Sequence, residues 1–329
     1  MKPKVFVTRP LPYAALERLE AACDLQTYPE DAPIPKERLA ESCREIDGLL
    51  SVGARITEEL IRQAPRLRAI ATPSVGVDHI DVAACTARKI PIANTVGVVE
   101  ETTADLAFAL LLAAARRVLE ADAFVRAGGW KHWKWNLMRG ANAHHKTLGL
   151  IGFGRIGQAV ARRGRGFGMR ILYSARHHAP EAVEKELMAE FRSRDELLAE
   201  SDFVSLHVPL TPETWRMIGA RDLSRMKPTA FLINTARGAV VDEAALVEAL
   251  QGGRIAGAGL DVFEREPAVS AELLQMPNVV LMPHVGSATD ETRFEMAKVA
   301  ADSLLDLLDG RRPPSVVNPE VFPGHRDTR

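Results

Sequence analysis

Arg237, Glu266 and His284 lie far apart in the chain, yet each follows a short apolar run: FLINTA, GLDVFER and VVLMP respectively. A guanidinium, a carboxylate and an imidazole at three strand ends are the parts that reduction of a 2-keto acid requires. The cation holds the substrate carboxylate and orients the carbonyl. The imidazole gives a proton to the developing alkoxide, and the carboxylate keeps that donor protonated and aligned. Arginine's planar fork meets a carboxylate at two points, which lysine cannot match. Histidine is the side chain whose ordinary pKa of ~6.5 suits a proton given and taken near neutrality. Glu264, two positions before Glu266, is the local rival for the supporting role and is expected to lie farther from the histidine.

The matching reductant site is a glycine-rich turn. Gly152-Phe153-Gly154-Arg155-Ile156-Gly157 follows the apolar run LGLI and precedes the helical pattern QAVARRGRGFG. The first glycine permits a tight turn, the second lets backbone approach a pyrophosphate, and the third lets helix and strand sit close. The phosphates then rest on amide donors at a helix start. The spacing alone is weak evidence; its place between strand and helix strengthens it. The next strand ends Tyr173-Ser174-Ala175-Arg176-His177-His178, without the carboxylate that NAD-specific sites place there. Arg176, with Ser174 and His177, suits a 2'-phosphate, so NADP(H) is the preferred coenzyme. NAD(H) stays usable if Arg176 only stacks on the adenine. The pairs His144-His145 and His177-His178 have no Asp, Glu or Cys at ligand spacing, so no metal site is expected. Nearer the N-terminus, the turn Thr72 to Asp78 offers the amides of Val75 and Gly76, beside Ser74, to a substrate carboxylate.

A chain of 329 residues exceeds the span of one core, so two domains are expected, and 47% hydrophobic residues suffice to fill both. The net charge of -1 supplies no basic field for nucleic acid or a membrane surface. An anionic substrate must therefore be caught locally. Cys23, Cys43 and Cys85 are odd in number and lack C-x-x-C spacing, which reads as reduced, buried thiols. The start MKPKVFVTRP has too short an apolar run for a signal peptide. Ala104 to Ala115, the longest apolar stretch, is shorter than the ~20 residues that span a bilayer. A soluble cytoplasmic protein is expected.

Strand-like runs alternate with helical patterns from the first residues: KVFVT, Tyr13 to Ala22, DGLLSV, Thr57 to Ala64, LRAIAT. Such alternation implies parallel sheets wound on both faces. One long helix is expected from Glu100 to about Ala127, its middle DLAFALLLAAARR apolar on nearly every side. Six further strand candidates begin at TLGLIGFG, the number expected of a dinucleotide-binding sheet. The last helix, Asp290 to Leu308, stops at Gly310 before Pro313 and Pro314 and is expected to return to the small first unit. The expected architecture is α/β: two doubly wound parallel-sheet domains, a Rossmann coenzyme domain (98–286) inserted into a flavodoxin-like substrate-binding domain (1–97 and 287–329). A cleft between them would close the substrate away from water.

Taken in order, GFGRIG, NTARG, GLDVFEREP and PHVGSAT resemble the D-isomer-specific 2-hydroxyacid dehydrogenases over nearly the whole chain. The stretches SVGVDHIDV, TADLAFALLLAAARR, HHKTLG and LYSARHH are similar to glyoxylate/hydroxypyruvate reductases, including those called 2-ketogluconate reductases. The resemblance implies Arg237 and Glu266 as active-site residues and His284 as proton donor. It also implies coenzyme contacts at Thr103, Arg155, Ile156, Ala175 to His177, His207, Val208, Pro209, Thr235, Ala236, Asp261, His284 and Gly286, and substrate contacts at Ser287 and Trp133. A homodimer through the long helix and the tryptophan-rich loop after it follows, with Trp133 reaching toward the neighbouring subunit. Trp135 stands where that family commonly has proline, which bears on substrate size. Phosphite dehydrogenases carry a lysine where Val75 stands, and phosphoglycerate dehydrogenases a further regulatory domain. The expected activity is reduction of glyoxylate to glycolate and of hydroxypyruvate to D-glycerate. The alternatives are a 2-ketogluconate or other D-2-hydroxyacid dehydrogenase and a coenzyme-sensing corepressor, whose long recruiting tail the short end GHRDTR does not match.

Overall fold

The apolar runs form strands buried along most of their length, as parallel strands covered on both faces must be. The computed structural model describes residues 2–322; the charged end Gly324 to Arg329 lies outside them. The chain divides into two compact units, residues 1–99 with 288–329, and residues 100–287.

The first unit runs β1 (Lys4–Val7), α1 (Tyr13–Ala22), β2 (Asp24–Thr27), α2 (Lys36–Cys43), β3 (Gly48–Leu50), α3 (Glu58–Gln63), β4 (Ala69–Ala71), α4 (Val82–Ala87) and β5 (Ile92–Ala93). Its five parallel strands lie in the order β2-β1-β3-β4-β5, the flavodoxin-like order. The sequence did not announce β2 and α2: DLQT is largely exposed at the sheet edge, so no apolar alternation marks it. Cys23, Cys43 and Cys85 are all buried free thiols.

The second unit runs α5 (Glu100–Arg116), α6 (Val118–Arg126), β6 (Thr147–Ile151), α7 (Arg155–Gly166), β7 (Arg170–Ser174), α8 (Glu181–Leu187), β8 (Ala189–Phe191), α9 (Arg194–Glu200), β9 (Phe203–Leu206), α10 (Ala220–Arg225), β10 (Phe231–Asn234), α11 (Glu243–Gln251), β11 (Gly257–Leu260), α12 (Ala271–Leu274) and β12 (Val279–Leu281). Seven parallel strands lie in the order β12-β11-β10-β9-β6-β7-β8. The chain order reverses between β6 and β9, so the switch point falls beside the glycine turn after β6. Six strands were expected; the seventh, β8, is a three-residue edge strand. The closing helix α13 (Asp290–Leu308) belongs to the first unit, where Leu304, Leu307 and Leu308 share a core with Val5, Val7 and Leu50.

The single helix expected from Glu100 to Ala127 is two helices. Arg117 adopts a left-handed backbone at φ 53°, and its guanidinium pairs with Glu120 at 2.6 Å. The Ala115 carbonyl accepts from the amide of Ala141, and a side chain at Gly140 would collide with it. The two halves differ in burial. Residues Ala104, Ala107, Phe108, Leu110, Leu111 and Ala114 of α5 are buried in the unit's core, whereas α6 buries none of its side chains. Each large apolar side chain buried is worth about 1.5–3 kcal/mol, so α5 is an anchor and α6 is not. A bifurcated set of ion pairs from Arg163 to Glu101 and Asp105 ties α7 to the first turns of α5. Among the described residues no helix is long and apolar enough to cross a membrane.

Candidate active site

Because β10, β11 and β12 are parallel neighbours, their carboxyl ends lie side by side, and these ends carry Arg237, Glu266 and His284. His284 Nδ1 lies 2.7 Å from Glu266 Oε2, a charge-assisted hydrogen bond when the ring is protonated. Burial alone would raise the Glu266 carboxyl. The bond from His284, the amide of Phe263 and the nearby Arg237 guanidinium outweigh it and hold the carboxyl below the usual range. The three side chains are thus in electrostatic contact.

Each is held by residues whose role the sequence alone did not show. Asn234, buried at the end of β10, accepts from the amide of Ala236 and donates to the carbonyl of Arg237, bracing the turn that presents the arginine. Arg237 Nη1 itself donates to the Ala236 carbonyl. A Cβ on Gly238 would stand 1.8 Å from the Phe263 carbonyl carbon, so only glycine lets the Arg237 turn lie against the Glu266 loop. Asp261, 1% exposed, accepts from the amides of Val285 and Gly286 at 2.8 Å each, one on each carboxylate oxygen. The His284 amide donates to its carbonyl, and His284 itself sits at φ 55°. Burial pushes the Asp261 carboxyl up despite these donors. Asp261 thus clamps the histidine turn.

Glu264, the rival acid, is engaged elsewhere. Its Oε1 accepts from Arg216 Nη2 at 2.5 Å, and Glu264 and Glu243 each accept from the other's amide. Glu264 therefore fastens the loop that carries Glu266 and does not meet the histidine.

The glycine turn fits a dinucleotide, position by position. A Cβ on Gly152 (φ 92°) would meet the His207 carbonyl oxygen at 2.5 Å, and one on Gly157 would meet the Gly152 carbonyl oxygen at 2.4 Å. Beside Gly154 there is nothing within 4 Å, which leaves room for phosphate where the first amides of α7 point, and no acid stands in that first turn. Arg155 and Ile156 open α7. Thr235 Oγ1 is buried with no hydrogen-bond partner among the described residues, and buried Thr103 lies beside Gly286. Val208 lies over Gly152, with Pro209 exposed after it. Ser174 and Ala175 are half-buried, while Arg176 and His177 are exposed at the end of β7. Glu213 has its carboxyl held low chiefly by Thr211, with a smaller contribution from Arg176.

In the first unit the turn after β4 is strongly braced. Ser74 Oγ donates to the Gly76 carbonyl, the Thr95 amide donates to the Ser74 carbonyl, and Asn94 donates to that of Val75. Ser287 is half-buried; Trp133 and Trp135 are 71% and 79% exposed, stacked edge to face at 5.9 Å.

With this geometry in view, residues 108–286 match the sequence model for the D-isomer specific 2-hydroxyacid dehydrogenase NAD binding domain. A glyoxylate reductase of Thermococcus gammatolerans is 51% identical, covering 99% of this chain and 100% of its own. One of Korarchaeum cryptofilum is 52% identical over 98% of this chain and 97% of its own. The solved NADPH-dependent glyoxylate/hydroxypyruvate reductase from Sinorhizobium meliloti, in complex with NADP and malonate, superposes with a TM-score of 0.87 at 34% identity, covering 99% and 100% of the two chains. The chain belongs to the D-isomer-specific 2-hydroxyacid dehydrogenase family and is an oxidoreductase with a nicotinamide coenzyme.

His207, after β9, supplies a pH test of this region. Its Nε2 lies 2.9 Å from Ser205 Oγ, and burial of the ring pushes its pKa down to about 3 although the residue keeps some exposure. A base whose folded pKa is depressed stabilises the fold above the unfolded value of ~6.5, and that stability is lost as pH falls from ~6.5 toward 3. The expected loss is at most about 1.4 kcal/mol per pH unit. Denaturant unfolding of wild type and His207→Gln at pH 7 and pH 5 should therefore show a smaller acid-induced decline in the variant; equal declines would contradict the assignment.

Proposed function

We propose that this protein is an NADPH-preferring reductase of small 2-keto acids, converting glyoxylate to glycolate and hydroxypyruvate to D-glycerate. The observation that carries the reading is the 2.7 Å contact of His284 with Glu266 in the field of Arg237, at adjacent strand ends on the same carboxyl edge of the sheet as the glycine turn. The similar proteins called glyoxylate reductases, at about half identity over nearly the whole chain, support the substrate class.

When bound, the coenzyme supplies a hydride to the keto carbon. The guanidinium of Arg237 binds the substrate carboxylate through two donors and polarises the neighbouring carbonyl. His284 donates its proton to the oxygen as negative charge develops there, and Glu266 stabilises the imidazolium and fixes its plane. Thr103, Thr235, Ala236 and Gly286 take coenzyme contacts, the Thr235 hydroxyl having no partner among the described residues, and the amides of Val75 and Gly76 take a carboxylate. Arg176, Ser174 and His177 bind the 2'-phosphate. Glu213 lies within electrostatic reach of Arg176, and this favours retained use of NADH as a second coenzyme.

The expected outcome of steady-state assays on both keto acids is turnover with each coenzyme and a higher kcat/KM for NADPH. His284→Ala should lower kcat by roughly 10²- to 10⁴-fold with NADPH binding nearly unchanged. No turnover with either coenzyme would refute the activity; a preference for NADH would refute the coenzyme assignment alone.

The protein is further proposed to be a homodimer. Val118, Leu119 and Val125 of α6 and Trp130, Trp133 and Trp135 of the following loop are each about half exposed or more, an apolar surface that a monomer rarely leaves in water. Light scattering should give twice the chain mass for wild type and a monomer for Val125→Glu; a monomeric wild type would overturn the assignment.

A further inference from the structure

Tyr173 joins the glycine turn after β6 to the loop after β7. It is the last buried residue of β7, fully enclosed, and its ring stacks on Phe153 of the glycine turn at 4.1 Å between centroids and 19° between planes. Its hydroxyl donates to Glu184 of α8 and accepts from the amide of Ala179 at 2.8 Å. The segment Ser174 to His178 lies between these attachments, so one hydroxyl closes it into a loop. His178 reinforces the closure: its ring stacks on Phe191 of β8 at 4.0 Å, and its Nδ1 lies 3.4 Å from the same Glu184 oxygen. The hydrogen bond from Tyr173 is the main reason the Glu184 carboxyl stays below the usual range, so the acceptor is an ionised carboxylate and the contact is charge-assisted. What the loop presents outward is Arg176 and His177, both exposed.

We propose that Tyr173 and Glu184 are positioning residues for coenzyme selection: their contact pre-shapes the 174–178 loop so that Arg176, Ser174 and His177 meet the phosphate on the adenosine ribose. This rests on the NADP(H) reading above. A pre-formed loop spends no binding energy on ordering itself, and the benefit falls on the ligand that touches the loop. NADH presents only an uncharged hydroxyl there. The tyrosine ring serves both coenzymes through Phe153, and the hydroxyl serves NADPH.

Tyr173→Phe keeps the stacked ring and removes both hydroxyl contacts, leaving the Ala179 amide without its partner. The expected result is a KM for NADPH raised roughly tenfold, with kcat unchanged and the KM for NADH altered by less than about twofold. Glu184→Ala should give the same selective loss, and Glu184→Gln, which still accepts from the hydroxyl, should restore most of it. Equal losses with both coenzymes, or none with either, would overturn the proposal. The loop is also read without coenzyme: amide hydrogen exchange over residues 174–180 should be faster in folded Tyr173→Phe than in wild type, and unchanged exchange would overturn the lock. A wild type that does not prefer NADPH, with exchange still faster in the variant, would instead refute the coenzyme assignment and leave the lock as a loop-ordering contact. Should Tyr173→Phe fail to fold, the Glu184 pair decides by the same KM ratio.

Discussion

Parallel pairing is the constraint on which the site rests. In a parallel sheet every strand delivers its carboxyl end to one edge, so residues separated by tens of positions become neighbours without any long-range motif. β10, β11 and β12 pair in register, and Arg237, Glu266 and His284 stand at the ends of three successive strands as a result. The register alone is not sufficient. The loops beyond the strand ends must approach closely, and two backbone features achieve this: the absence of a side chain at Gly238 against Phe263, and the two amides at Val285 and Gly286 that converge on Asp261. Hydrogen bonds to a charged group contribute about 1.5–3 kcal/mol each, enough for Asp261 to hold His284 at its positive φ.

Two carboxylates on neighbouring segments show how different degrees of enclosure serve different ends. Glu266 is partly buried yet kept ionised, because a histidine, an amide and an arginine surround it. Asp261 is more deeply enclosed and has its carboxyl raised, because burial outweighs its two backbone donors. The first arrangement keeps a carboxylate against an imidazole; the second fixes a turn. Exposure separates them too, since Asp261 is 1% exposed while the Glu266 side chain keeps a third of its surface.

The part of this organisation that could be read from the sequence is the part written in local pattern. Arg237, Glu266 and His284 each follow a visible apolar run, and the glycines at 152 and 157 answer close backbone approaches while Gly154 leaves open space, a division of roles that the spacing already expresses. Elements without such a pattern were not legible. β2 and β8 are short edge strands with little buried surface, so their residues carry no alternation. The break at Arg117 occurs at a residue that does not announce a left-handed turn, and it is held by Glu120 and by the approach of Gly140, which the helix's own sequence does not contain. The fate of Glu264 was decided by Arg216, forty-eight positions away.

Partner choice among acids therefore marks the limit of sequence reading here. Glu264 and Glu266 are the same residue type two positions apart on one loop, and their order along the chain placed Glu264 farther from the histidine without showing what would hold it there. The three-dimensional structure ranks them by what faces each: a guanidinium and a backbone amide for Glu264, an imidazole for Glu266. The same logic holds after β7, where Arg176 is obvious as a cation but the loop that carries it is closed by Tyr173 and Glu184, one in the strand before it and one in the helix after. A residue type names a chemistry. The groups that hold it in place decide whether that chemistry is available, and in this fold those groups come mostly from backbone amides and buried carboxylates on neighbouring strands.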